Sequence, residues 1–541
     1  MKYIKLYLAI ALGLLITGSC SDFLAENPTG SLTTESELTS RDAGIAFATG
    51  AYRSLRGWTD GTTDWGGNQF NCLEYMTGKA YSQYMGARLF EYEEGAQTGE
   101  QSTAKGRWSN WYQGVRDCNL AIEKIPTISD MSETDKAYYL GEVRTLRAFY
   151  YFCLVRFYGD VVYNASVVSS IAESYQPRTS LKKIYDEIIV PDLESALQSP
   201  LPDKTTDGRI SKNAVRAILA DVYLTMAGYP YQEVATNPDK AWCTEASWSA
   251  TEYPVNTQSA KDLLQKSKAL LDALYGQYPL GDFSDLRNPE MNNKGGAIFQ
   301  INYMASVSEF PVQMFVPLTL YTSVFGTECG TGVPSTAYYN SYNPADVRIK
   351  DRVYFYYSDT KAPKHDPNES PAPKFPVAFL FKYYDELAVK ETAHPNINFS
   401  LYRYADVLLM LTEVNWTLNY LGVNVPGNDI VKGINEIRTR AGLPEYAADG
   451  LTLFDIMSER AYELVFENRM LWDMRRTRKA LVDGNGEFRT LENFVGHQPV
   501  SFNHRFEPKH LLTPVSADEI KNNYDCEQNG GWLPVQTGTG H

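Results

Sequence analysis

The stretch from Glu142 to Asp160 constrains this chain more than any other. Nothing in it interrupts a helix until Gly159, which suits the chain reversal past a helix C-terminus. From Ala148 to Val155 every side chain is apolar or aromatic, so no face of the helix is polar. A helix that is apolar all round is buried on all sides. Arg144, Arg147 and Arg156 nevertheless lie in or beside that run. A buried guanidinium left unpaired costs several kcal/mol, on the order of 3–5. The rest of the chain must therefore wrap this helix and bring acids or carbonyls to it.

The first residues do not belong to that fold. Lys2 and Lys5 precede an apolar run from Leu6 to Ile16, and Thr17-Gly18-Ser19 leads small residues up to Cys20. The run is shorter than the roughly 20 residues a spanning helix needs, which marks a cleaved leader at 1–19. A cysteine directly after small residues resembles a bacterial lipobox, with Cys20 as the acylated first residue. Residues 20–38 are mostly polar, with Pro28 and Gly30, and are expected to tether lipid to domain. Losing Lys2 and Lys5 takes the net charge from −15 to −17. That balance argues against nucleic acid and against attraction to anionic lipid, so the membrane contact expected is the N-terminal lipid alone. Cys72, Cys118, Cys153, Cys243, Cys329 and Cys526 show no CxxC and no metal spacing, so no disulfide framework is expected. Cys118 and Cys153 fall in helical patterns, as small buried hydrophobes.

Helical patterning begins at Thr39–Leu55, where Ala43, Phe47, Ala51 and Leu55 share a face. It resumes at Trp108–Ile125, with Trp108 and Trp111 assigned to core, and then follows Ser132-Glu-Thr-Asp135, a capping-box pattern. Pro191 predicts a kink or break within Leu181–Gln198. Ser211 is placed to cap a helix over Lys212–Ala227, and Ser259–Leu274 is another. Helices in pairs with alanines at their contacts suggest a tetratricopeptide-type solenoid. In the C-terminal part, Ser400–Glu413 is expected to open one helix. Thr452-Leu-Phe-Asp455 forms a second capping box, ahead of a helix over Ile456–Arg476. Residues 57–106 and 278–399 break this pattern. They are taken as loop-rich insertions, with short strands at Ala297–Asn302 and Val353–Tyr357, on a helical core of 39–56, 107–277 and 400–482.

The run Leu146-Arg147-Ala148-Phe149-Tyr150-Tyr151-Phe152, with Leu154-Val155-Arg156 and Tyr158-Gly159-Asp160-Val161, resembles a signature of the SusD/RagB family. Three further blocks match that family in order: Arg403-Tyr404-Ala405-Asp406; Asn435-x-x-Arg438-x-Arg440-Ala441-Gly442; and the helix carrying Glu459-Arg460, Glu463-Leu464, Phe466-Glu467 and Arg469. Gly208-Arg209-Ile210-Ser211-Lys212 and Gln528-Asn529-Gly530 also fit. Members are outer-membrane nutrient-binding lipoproteins of Bacteroidetes-type bacteria. The resemblance implies a mainly α, SusD-like fold over 39–541, a surface location, and delivery of a nutrient polymer to a SusC-like TonB-dependent transporter. It implies no cofactor.

Glu459, Glu463 and Glu467 fall at i, i+4, i+8, a repulsive spacing unless cations intervene. Arg438, Arg440, Arg460, Arg469, Arg475 and Arg476 are close by in sequence, so an ion network holding helices together is expected in place of a metal or acid/base site. No nucleophile motif, phosphate loop or His-Glu-x-x-His occurs, and the sequence gives no positive evidence for catalysis. Loop aromatics carry more information. The first insertion holds Trp58, Trp65, Tyr81 and Tyr84 with Arg88, and the second Tyr321 and Tyr339 with Asn340. Flat rings suit the CH faces of sugars, and amide and guanidinium groups bind hydroxyls in pairs. These residues are expected to line a shallow groove for an oligosaccharide. A peptide is the alternative ligand, and a surface glycosidase the rival of another class.

Overall fold

The structure is a computed structural model that describes residues 40–58, 72–82, 95, 97–236, 248, 250–304, 332–356, 378–384, 396–484 and 487–534. The leader, the tether and Cys20 lie outside the described residues. The long helices are α1 (Arg41–Gly50), α2 (Ser102–Lys124), α3 (Glu133–Tyr158), α4 (Val190–Gln198), α5 (Lys212–Met226) and α6 (Gln258–Leu274). They continue as α7 (Tyr404–Tyr420), α8 (Gly427–Arg440), α9 (Leu453–Glu463) and α10 (Met470–Thr477). From α1 to α8 each packs on the next, so the mainly α solenoid read from the sequence is the architecture observed. Helix α2 opens at Ser102, inside the stretch assigned to the first insertion. Among the described residues no helix is long and apolar enough to cross a membrane.

Helix α3 sits where its composition demands. All residues from Ala148 to Tyr158 are buried. Its phenols find carbonyls: Tyr150 donates to Ala51 at 2.6 Å, Tyr158 to Ala104 at 2.6 Å and Tyr151 to Asn164 at 3.0 Å. Arg147 grips Asp192 with Nε at 2.7 Å and Nη2 at 2.8 Å, and donates from Nη1 to Asn119. Arg144 reaches the Ser195 hydroxyl instead of an acid. Arg156 is 3.4 Å from Asp221 but lies 3.7 Å over the Phe152 ring, so aromatic faces take much of its charge. Ser132 caps the helix start by accepting from Asp135 N–H. At its end Gly159 has φ +79°, and a Cβ there would meet Leu512 Cδ1 at 2.6 Å. The Gln528-Asn529 motif closes that end: Asn529 Nδ2 donates to the Tyr158 and Thr513 carbonyls, and its Oδ1 accepts from Arg178.

Other expectations hold or need correction. Ser211 caps α5, and Thr452 with Asp455 forms a complete capping box on α9. Before Pro191 the helix widens into a π turn at Tyr185–Ile189, which gives the proline ring room beside a carbonyl it would otherwise strike. Trp108 and Trp111 are core residues, and Cys118, Cys153 and Cys526 are buried free thiols. Ser400–Arg403, expected to open a helix, belongs instead to the strand Phe399–Arg403; α7 starts only at Tyr404. It pairs antiparallel with Ala297–Ile301, and burial on both faces had removed the alternation that marks a strand. The single helix expected over Ile456–Arg476 is broken between α9 and α10. There Phe466 and Asn468 have φ of 55° and 60°, so Glu467 does not continue the row of Glu459 and Glu463.

Candidate ligand-binding site

Among the described residues, the two segments read as insertions meet each other at one place. Strand β1 (Ala80–Ser82) of the first pairs antiparallel with β2 (Gly332–Pro334) of the second, aligning Tyr81 with Val333. Ser335 N–H adds a bond to the Lys79 carbonyl at 2.7 Å. Such pairing joins segments far apart in sequence through main-chain bonds, independent of side-chain identity. Gly78 has φ +73°, and a Cβ there would lie 2.2 Å from Pro499, so no other residue fits this turn. Lys79 Nζ donates to the Leu481 carbonyl. After β2, a short helix Thr336–Asn340 is capped by Ser335 and fastened to α9. Tyr338 donates to the Ala461 carbonyl at 2.5 Å, Tyr342 to Tyr462 at 2.9 Å, and Tyr462 back to Ser341 at 2.9 Å.

Around this seam the sequence-selected residues fall as follows. Tyr81 occupies the middle of β1, and Trp58 closes the 3-10 helix Ala51–Trp58; the backbone alone is described for both. Tyr339 is half-buried, its ring edge-on to Phe355 at 5.2 Å. Asn340 is exposed. Trp65, Tyr84, Arg88 and Tyr321 lie outside the described residues. The structure thus brings the Tyr81 backbone to the strand that leads into Tyr339 and Asn340.

Beneath the seam lies the ion network expected from the glutamate row. Arg348 binds Asp346, Glu459 and Glu463 at 2.7, 2.7 and 3.1 Å. Arg403 binds Glu463 and Glu467 at 2.8 and 2.7 Å, Arg440 joins Glu463, and Arg438 reaches Glu459 at 3.2 Å. A second cluster links Arg460 to Asp406 and Asp473, and Arg476 to Glu413 and Asp473. Burial raises the pKa of Glu463, yet Arg440, Arg403 and Arg348 together hold it well below the usual carboxylate range. Lys382 pairs with Glu467 and donates to the Glu463 and Val465 carbonyls, 3.0 and 3.2 Å away. Burial lowers its pKa to about 8. Those two bonds, with Tyr383 donating to Phe466 and Arg403 to Glu463, take the carbonyls freed where the helix breaks. Glu74, at the root of the first insertion, accepts from Asn468 N–H at 2.7 Å. Burial pushes its pKa to about 7. Neither Glu74 nor Lys382 carried a signal in the sequence, because each meets its partners across hundreds or tens of residues. Among the described residues no three His, Cys, Asp or Glu side chains gather to hold a metal ion.

Comparison with known proteins adds to this geometry. A model of the SusD family matches residues 320–532. A second model, described as starch-binding and associating with the outer membrane, matches residues 63–224. The SusD-like protein P38 of Formosa agariphila is 25% identical over 515 residues, which span 89% of this chain and 92% of that protein. The crystal structure of a SusD superfamily protein from Parabacteroides distasonis matches with a TM-score of 0.80 at 30% identity, over 91% of this chain and 99% of that one. Surface glycan-binding protein A from Bacteroides uniformis shares the fold, with a TM-score of 0.68 at 18% identity over 90% of this chain and 99% of that one.

Proposed function

Since the chain belongs to the SusD family, we propose that it captures an oligosaccharide at the outer-membrane surface and passes it to a SusC-like TonB-dependent transporter. The observation that carries this reading is the seam. Two aromatic-rich insertions, separated by most of the helical scaffold in sequence, are joined through β1 and β2. Support comes from the family's starch-binding description and from a structural neighbour named as a surface glycan-binding protein. Trp58, Trp65 and Tyr321 supply stacking faces, and Arg88 and Asn340 supply hydroxyl partners. Acylated Cys20 holds the protein on the membrane. Transfer requires only that the polymer bind differently in the open and closed states of the assembly, without bond chemistry.

A glycan and peptide array probed with the full chain in detergent tests the ligand class. Binding to one glycan family, lost in Trp58→Ala/Trp65→Ala, is the expected outcome. Binding to peptides and to no glycan would overturn it.

A further inference from the structure

A groove adjoins the seam, between the loop after the short helix 336–340 and the scaffold helices α8 and α9. It encloses about 680 Å³, within the range of ordinary small-ligand sites, roughly 300–1,000 Å³. Asn340 lines it from the insertion side. From α9 come Phe454, Ser458 and Tyr462, spaced i, i+4, i+8 and therefore on one helix face. Both rings are half-buried, so each keeps part of its surface in the groove. Between them the Ser458 hydroxyl is buried, 6% exposed, and has no hydrogen-bond partner among the described residues. A serine inside a helix ordinarily turns to the carbonyl one turn back; this one does not, and a buried hydroxyl left unpaired is costly.

We propose that this groove is a second glycan-contact site, in which sugar rings pack on Phe454 and Tyr462 and a sugar hydroxyl pairs with Ser458. The charges around it favour a neutral polyol. Glu459 is neutralised by Arg348 and Arg438. Asp455 is committed to capping Thr452. Arg438 places Nε on the Pro444 carbonyl and Nη1 on Glu459, which leaves Nη2 without a partner among the described residues as a donor for a hydroxyl. A peptide would find no strand edge here, since α8 and α9 already satisfy their own backbones, and main-chain pairing is what holds an extended peptide. The site is shared between the scaffold helices and the second insertion, and so it adds a contact to the glycan capture on which this inference rests.

Affinity gels cast with starch, laminarin, xylan, galactan, mannan or levan, run with the full chain in detergent, test it. The parent should be retarded by at least one polymer. Ser458→Ala should weaken that retardation about five-fold while its melting temperature stays level or rises, because the lost hydroxyl had no partner among the described residues. Phe454→Ala should weaken it at least as much. Parent-like retardation of Ser458→Ala overturns the groove and leaves the glycan reading standing. Retardation of the parent by none of the six polymers overturns both. Should Phe454→Ala misfold, Ser458→Ala decides alone.

Discussion

Glu74 is the group whose protonation most directly ties the first insertion to the scaffold, and Glu74→Gln isolates it. The carboxyl is buried, and burial is the largest influence on it, with nearby Glu467 adding to the rise. The Asn468 N–H and Lys382 act the other way but do not win, and the pKa reaches about 7 from an ordinary 4.5. A raised acid binds its proton more tightly in the folded state than in the unfolded one. Its contribution to stability is therefore complete below about pH 4.5 and is lost as pH rises through 7. A shift of that size corresponds to about 3 kcal/mol lost across the window. Glutamine keeps an oxygen for the Asn468 N–H, 2.7 Å away, and has no proton to lose. The stability of Glu74→Gln relative to the parent should therefore grow by about 3 kcal/mol between pH 4.5 and 8. With an unfolding entropy of about 1 kcal/mol/K for a chain this long, the gap in melting temperature should widen by about 3 °C. Paired melting curves at pH 4.5, 6 and 8 read it directly, and titrating groups that do not act on Glu74 cancel between parent and variant. A gap that stays constant or narrows as pH rises would refute the burial argument.

Arg147→Met strands the buried Asp192 and should lower stability by about 3 kcal/mol, seen as a lower urea midpoint. Adding Asp192→Leu should recover part of the loss, and an unchanged midpoint in the single variant would count against a structural role. Glu463, Glu467 and Asp473 are all held below the ordinary carboxylate range by the guanidinium and ammonium groups around them. Depressed acids stabilise fully above their unfolded pKa, about 4.3, and lose that contribution as pH falls through their folded values. The urea midpoint should therefore drop steeply below pH 4.5, and Glu463→Gln should be weaker at pH 7 with a flatter acid limb. Cys20→Ala should move the protein from the membrane to the soluble fraction; a variant with its leader removed but still membrane-bound would contradict acylation.

Much of the scaffold was legible because its signals are local. The all-round apolar run of α3, the caps at Ser132, Ser211 and Thr452, and Pro191 each announce themselves within a few residues. What escaped was imposed from a distance. Leu464-Val-Phe-Glu467 holds no glycine or proline, so helix was the local expectation. The break comes from Lys382, Tyr383 and Arg403 taking the carbonyls of Glu463, Val465 and Phe466. The strand Phe399–Arg403 is likewise decided by its partner at Ala297–Ile301. Of the residues singled out for a site, Asn340 is the one that the structure sets on a groove. The groove it shares with Phe454, Ser458 and Tyr462 was not legible, since on α9 those residues look like an ordinary helix flank.

The motifs that carry the family resemblance are largely members of the ion network. Arg403 and Arg440 bind Glu463, Arg438 binds Glu459, and Asp406 binds Arg460 and Arg469; all are buried or nearly so. Such a network is a poor way to gain stability, because apolar residues of the same volume often do as well or better. Its use lies in direction. A guanidinium demands its acids at fixed angles, which hydrophobic contact does not. Arg348 and Lys382 pin the second insertion through Glu463 and Glu467, and Glu74 fixes the first through the Asn468 N–H in the same helix break. The β1–β2 pairing then joins the two by backbone alone. Side chains beyond these anchors are free to differ without disturbing the fold, as they must where a protein only 18% identical shares this architecture. Binding specificity is therefore expected to follow the insertions, and the placement of those insertions the arginines.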